Sequence, residues 1–151
     1  MTWRTICLWL CIAAGRRVRG LHQPRPFRLP RRDLARFGSL FLNGGVSLTG
    51  DRVVSLSWIV DTFAGGVDSR AAFAASPDDN RMPGGMYRNQ CWFPYPGNNV
   101  LLCLGIHGQM IYVNRAAHLV AAKLSSWPLP QDATKLFPTI AAFDEIAANF
   151  S

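Results

Sequence analysis

At 151 residues the chain has the length of one domain of ordinary size. Its 49% hydrophobic and 17% charged residues exclude a wholly disordered protein. The formal charge of +7 is unevenly placed. Residues 1–36 hold nine arginines and one acid, Asp33, for a net of +8, while residues 37–151 hold seven basic residues and eight acids, for a net of −1. Basicity therefore belongs to an N-terminal arm and not to the body of the chain; such an arm can bind nucleic acid or anionic lipid, or be no more than a solvated leader.

The first residues, MTWRTICLWLCIAAG, combine Arg4 with an apolar run over Ile6–Ala14. That run is too short to span a bilayer and has the length of a signal-peptide core. Positive charge directly after it, in RRVR, argues against export and favours a cytoplasmic over a periplasmic setting. The next stretch, GLHQPRPFRLPR, has no period of 2 or 3.6 and contains three prolines, so residues 1–31 read as a basic, unstructured arm or leader. Cys7, Cys11, Cys91 and Cys103 form no zinc-ligand spacing, and no metal or cofactor is implied. Cys91 and Cys103 fall in strand-like segments, where a thiol serves as a small buried hydrophobe.

Regular structure is expected from residue 32. RDLARFGSLFLNGG places Leu34, Phe37 and Phe41 on one helical face with Gly44 as the stop, although Arg31 and Arg32 stand where a capping side chain belongs. VSLSWIVDTF reads as a second helix with Ser55 as its cap and Trp58 facing inward, and residues 68–76 as a further turn or two of helix. After the loop PDDNRMPGG come four expected strands, Met86–Phe93, Val100–Ile106, Gln109–Asn114 and Leu119–Ser125. The second is apolar throughout, as a strand covered on both faces should be, and NRAAH closes a hairpin between the last two. SSWPLPQD reads as loop. FPTIAAFDEIAANF then sets Ile140, Phe143, Ala147 and Phe150 along one stripe, a helix that would pack on the sheet. The expected fold class is α+β, an antiparallel sheet with a packed C-terminal helix.

The phrases RDLARFGSLFLNGG, RVVSLSWIVDTF, YRNQCWFP, GIHGQMIYVN and LVAAKLSSWP, followed by the helix TIAAFDEIA, stand in an order that carries a resemblance. Over roughly residues 32–148 the chain resembles the C-terminal portion of the serine β-lactamase and penicillin-binding-protein-like hydrolases. The closest branch is that of class C-like esterases, D-aminopeptidases and 6-aminohexanoate-dimer hydrolases. The resemblance implies a partial β-lactamase/transpeptidase-like fold over residues 32–151. It also implies a small-molecule amide or ester substrate and serine acylation without a cofactor. Such chemistry needs a base within reach of the hydroxyl and amide donors aimed at the oxyanion.

In that family a Ser-x-x-Lys motif supplies the nucleophile, a Tyr-x-Asn motif a second base, and a Lys-Thr-Gly-like triplet one wall of the cleft. His107-Gly108-Gln109 falls where the triplet belongs, so the resemblance makes His107 the catalytic-wall residue in the lysine's place, with Gly108 and Gln109 against substrate. Read without the family, the same residues are a hairpin turn carrying a surface histidine. None of the nine serines has a lysine three positions later, and only Lys123 and Lys135 occur. Tyr87-Arg88-Asn89 and Tyr112-Val113-Asn114 match the second motif in letters but not in place, and read as packing residues.

The expectation is thus a C-terminal fragment of a serine hydrolase without its nucleophile motif, its arm explained by a truncated gene or an out-of-frame start. The alternatives are a non-catalytic pseudoenzyme, and a binding module whose basic arm holds nucleic acid or an acidic membrane. The last ranks well below the hydrolase reading, because only Phe27 interleaves with the arginines. Oligomeric state is left open.

Overall fold

The computed structural model describes residues 30–150. Residues 1–29 of the basic arm, with the leader-like run and Cys7 and Cys11, lie outside them, and Arg31, expected to end the arm, opens a helix. Helix α1 (Arg31–Leu42) begins without a side-chain cap, at Pro30. Asp33 places a carboxylate in the positive first turn and pairs with Arg36 at 2.9 Å. The helix ends at Gly44, whose φ of 60° allows the Gly45 amide to return to the Leu40 carbonyl at 2.7 Å. Helix α2 (Leu56–Ala64) is capped by Ser55, whose side chain accepts from the Trp58 amide, and Trp58 packs partly buried against Phe41. Helix α3 (Val67–Ala74) follows directly and buries Phe73.

Five strands form an antiparallel meander in chain order: β1 (Met86–Arg88), β2 (Cys91–Phe93), β3 (Val100–Leu104), β4 (Met110–Asn114) and β5 (Leu119–Lys123). The sequence reading had Met86–Phe93 as one strand. It is a hairpin, because Asn89 and Gln90 both take positive φ (50° and 67°) and reverse the chain in two residues. Asparagine tolerates that conformation, but glutamine gives no such signal, so a run ending in Cys-Trp-Phe reads as continuous. Helix α4 (Ala133–Ala148) starts four residues before the expected Phe137. Asp132 caps it through the Thr134 amide at 3.1 Å and binds Lys135, and the helix continues through Pro138, past its first turn. Phe150 lies past the end of α4 and is exposed, so the buried stripe stops at Ala147.

Strand alternation divides the apolar residues between two cores. Leu101, Cys103, Ile111 and Val113 face α1 and α2, meeting Phe41, Ile59 and Phe63, with Cys91 beside them. Val100, Leu102, Met110 and Tyr112 face the other way, toward Ile140 of α4 and Phe73 and Met82. β3 is therefore apolar on both sides because both sides are covered. The fold is α+β, with helices on each face of one antiparallel sheet, an arrangement compatible with part of a β-lactamase-like fold. α1 lies close on β4 and β5 because Gly38 has no side chain. A Cβ there would stand 2.5 Å from Val120 Cγ1 and 2.9 Å from Ile111 Cγ2.

Candidate functional site

The β3–β4 connection is built as a tight turn over Ile106–Gly108, with His107 at φ 55° and Gly108 at φ 80°. Two successive residues in the left-handed region reverse the chain sharply, and such a conformation at a histidine persists only where neighbours hold it. Here they come from the segment after β5. The His107 amide donates to the Pro130 carbonyl at 2.9 Å, and the Trp127 amide donates to the His107 carbonyl at 3.1 Å. The missing Cβ of Gly108 faces the Trp127 ring at 2.4 Å and Ser125 Oγ at 2.5 Å, so glycine is required there by both backbone and packing.

The imidazole of His107 is half-buried, with Nδ1 2.8 Å from the Trp127 carbonyl oxygen. A carbonyl only accepts, so this contact assigns the proton to Nδ1. Nε2 then carries the lone pair of the neutral ring and has no partner among the described residues. An imidazole fixed in this way can accept a proton at Nε2, or donate one when charged.

Three further residues lock the turn. Lys123, at the end of β5, donates to Ser125 Oγ at 2.7 Å and to the Gly108 carbonyl at 3.1 Å, and its ammonium sits 4.3 Å from the centre of the Trp127 ring. Partial burial holds its pKa below the ordinary lysine value. Ser125 Oγ lies 2.8 Å from the Gly108 carbonyl and 3.0 Å from that of His107, and its single proton serves one of them at a time. Lysine and serine are thus in contact, but the lysine is the donor and the serine proton points to backbone. That polarity braces a turn and does not activate a nucleophile. Gln109 spans the same gap with its side chain: Nε2 donates to the Ser125 carbonyl at 2.5 Å, and Oε1 accepts from the Ser125 amide at 3.4 Å.

His107, Gly108 and Gln109 are therefore brought together with Lys123, Ser125 and Trp127, which sequence reasoning did not single out. A signal for them exists. The short hairpin at 115–118 sets Asn114 opposite Leu119 and Met110 opposite Lys123, and the same register carried two residues further sets Gly108 opposite Ser125.

The two tyrosines in Tyr-x-Asn motifs stand elsewhere. Tyr87 is partly exposed, packs its ring at a tilt against Trp92 with centroids 4.7 Å apart, and donates to Gln90. Tyr112 is fully buried and donates to Asp144 Oδ1 at 2.7 Å, while Tyr95 donates to Asp144 Oδ2 at 2.5 Å. Burial, reinforced by that carboxylate, raises both phenols well above their ordinary pKa. The pair clamps α4 to the sheet and to the loop before β3. Cys91 and Cys103 are buried in the core facing α1 and α2. Among the described residues no group of three His, Cys, Asp or Glu side chains gathers as a metal site. No helix among them is long and apolar enough to cross a membrane.

No family model matches the chain. Over 99 residues, 66% of its length, it is 40% identical to the 6-aminohexanoate-dimer hydrolase of Paenarthrobacter ureafaciens. That stretch covers 24% of the hydrolase, so the chain spans about a quarter of the curated relative it matches.

Proposed function

We propose that residues 32–151 form the C-terminal part of a β-lactamase-related serine hydrolase acting on amide or ester bonds, with the 105–109 turn as one wall of its cleft. In this reading His107 stands where the family has the lysine of its third triplet. Its Nε2 faces substrate, and Gly108 and Gln109 complete the wall. The observation that carries the reading is the oriented imidazole: a backbone carbonyl fixes its tautomer, and a dedicated set of side chains holds its strained backbone. The 40% identity to a hydrolase supports the choice of reaction class.

The 151 residues contain no Ser-x-x-Lys, and Ser125 is oriented as a brace. The acylated serine is then a residue outside this sequence, and the chain by itself turns over no substrate. Incubating the purified chain with a fluorophosphonate probe, a chromogenic cephalosporin and a p-nitrophenyl ester tests this. No serine is expected to label and no substrate to turn over. Stoichiometric labelling of a single serine would overturn the assignment of the nucleophile. The absence of the motif from the sequence also favours a second reading, a non-catalytic module that keeps the wall and binds without reacting. Saturable binding of an amide or ester with no turnover, even when the missing motif is supplied, separates that reading from the first.

A further inference from the structure

Cys91 of β2 and Cys103 of β3 are buried on the face of the sheet that meets α1 and α2, and both are reduced. The register sets them opposite each other. Trp92 pairs with Leu102 across the antiparallel β2 and β3, so one residue back on β2 meets one residue forward on β3. Strand alternation then puts both thiols on the same side of the sheet.

The turn at 89–90 decides what kind of pair this is. Two residues of positive φ join β1 to β2, and the residues flanking such a turn, Arg88 and Cys91, exchange both backbone hydrogen bonds. The backbone N–H and C=O of Cys91 are therefore turned toward β1, and those of Trp92 toward β3. Across β2 and β3, Trp92–Leu102 is then the hydrogen-bonded pair and Cys91–Cys103 a non-hydrogen-bonded one. At positions of that kind the Cα atoms stand about 4.5 Å apart and the side chains lie closest. A disulfide spans Cα separations of roughly 4.4–6.8 Å, so the backbone already has the spacing the bond needs. What the bond would replace is weak: the Cys91 thiol donates to the Asn89 carbonyl at 3.6 Å.

We propose that Cys91 and Cys103 are a redox pair that closes a cross-strand disulfide as the chain folds, with a low-molecular-weight disulfide such as oxidised glutathione as the oxidant. One cysteine thiolate attacks oxidised glutathione, forming a mixed disulfide and releasing one reduced glutathione. The other cysteine thiolate attacks the protein sulfur of that mixed disulfide and releases the second. The two cysteines lose two electrons and two protons, and both glutathiones leave as thiols. Cys91 is 3% and Cys103 9% exposed, so the folded core shields both thiols, and closure belongs to the folding chain, where both meet solvent. The bond staples the three-residue β2 to β3 beside Trp92–Leu102, the pair that registers the two strands. It does not rest on the hydrolase reading.

The test refolds the full 151-residue chain from urea in a buffer of reduced and oxidised glutathione, followed by acid quenching, alkylation and tryptic digestion. Residues 89–115 contain both cysteines and no lysine or arginine before Arg115, so a single peptide reports the bond. After refolding, that peptide is expected without alkyl groups and two hydrogens lighter than the dithiol. After treatment with dithiothreitol it should carry two alkyl groups. The oxidised protein should melt roughly 5–15 °C above the reduced one, the gain expected from closing a loop of this length. Protein folded in the reduced state and then given the same buffer should close the bond at least about tenfold more slowly, because the core must first open. The double variant Cys7→Ser, Cys11→Ser should reproduce each of these results. Glutathione adducts that persist on Cys91 or Cys103, bonds from either to Cys7 or Cys11, equal rates in the folded and refolding chains, or a closed bond that leaves Tm unchanged or lower would overturn the proposal.

Discussion

Replacing Ser125 by alanine removes the hydroxyl at the centre of the 105–109 brace. The change deletes an acceptor for the Lys123 ammonium at 2.7 Å and a donor to the Gly108 or His107 carbonyl at 2.8 and 3.0 Å. A neutral hydrogen bond contributes about 1 kcal/mol net, and one to a charged group roughly 1.5–3 kcal/mol. Lys123 keeps the Gly108 carbonyl and the Trp127 ring and is open to water on its remaining side, which offsets about half of the charged contribution. The expected loss is about 1–2 kcal/mol, a fall in Tm of roughly 3–10 °C for a domain of this size. The loss should also be local. The Trp127 amide, which donates to the His107 carbonyl, should exchange with solvent about tenfold faster. Urea unfolding with amide exchange reads both quantities, and Ser126→Ala, at an exposed neighbour, should move neither by more than about 0.5 kcal/mol. If Ser125→Ala matches Ser126→Ala in stability and in exchange at Trp127, the turn is not held as described.

Three further outcomes follow from the packing. Gly38→Ala adds about 1 kcal/mol of helix propensity but sets its methyl against the stiff side chains of Val120 and Ile111. Urea unfolding should therefore show a net destabilisation of roughly 1–2 kcal/mol, and a gain would refute the close approach of α1. Tyr112→Phe should cost roughly 1.5–3 kcal/mol, the range for a hydrogen bond to a charged group, and Tyr95→Phe, at a more exposed position, about 1 kcal/mol. Their double mutant should depart from additivity, because both phenols donate to Asp144. Arg88 and Asn89 hold the Asp61 carboxyl below the ordinary aspartate value of 3.8, Arg88 contributing most. A lowered folded-state pKa gives stability that is present above pH 3.8 and lost as pH falls through the folded value. Urea midpoints from pH 5 to 2 should therefore drop less steeply in Asp61→Asn than in the unaltered protein.

Much of the fold was legible because periodicity and burial agree. The stripe of Leu34, Phe37 and Phe41, the Ser55 cap and the unbroken apolar run of β3 each report an environment that the structure supplies. Elements were misread where a single local choice overrode the pattern. Gln90 in a left-handed turn splits Met86–Phe93, and the Asp132 cap starts α4 four residues before the expected Phe137. At the candidate site the sequence marked the turn and the histidine. Its supports were harder to see, since Lys123, Ser125 and Trp127 reach the turn through strand pairing across an intervening hairpin. Nothing in the spacing of His107 alone encodes the carbonyl at Trp127 that fixes its tautomer.

The most direct test of the central claim is a segment exchange. The 99 residues that match the Paenarthrobacter hydrolase would replace their counterparts in that enzyme, and turnover of the 6-aminohexanoate dimer would be measured with and without His107→Ala. The account predicts a folded chimera that hydrolyses the dimer and loses roughly 10²-fold or more of kcat/KM when the imidazole is removed. A folded chimera in which His107→Ala leaves kcat/KM unchanged would contradict it.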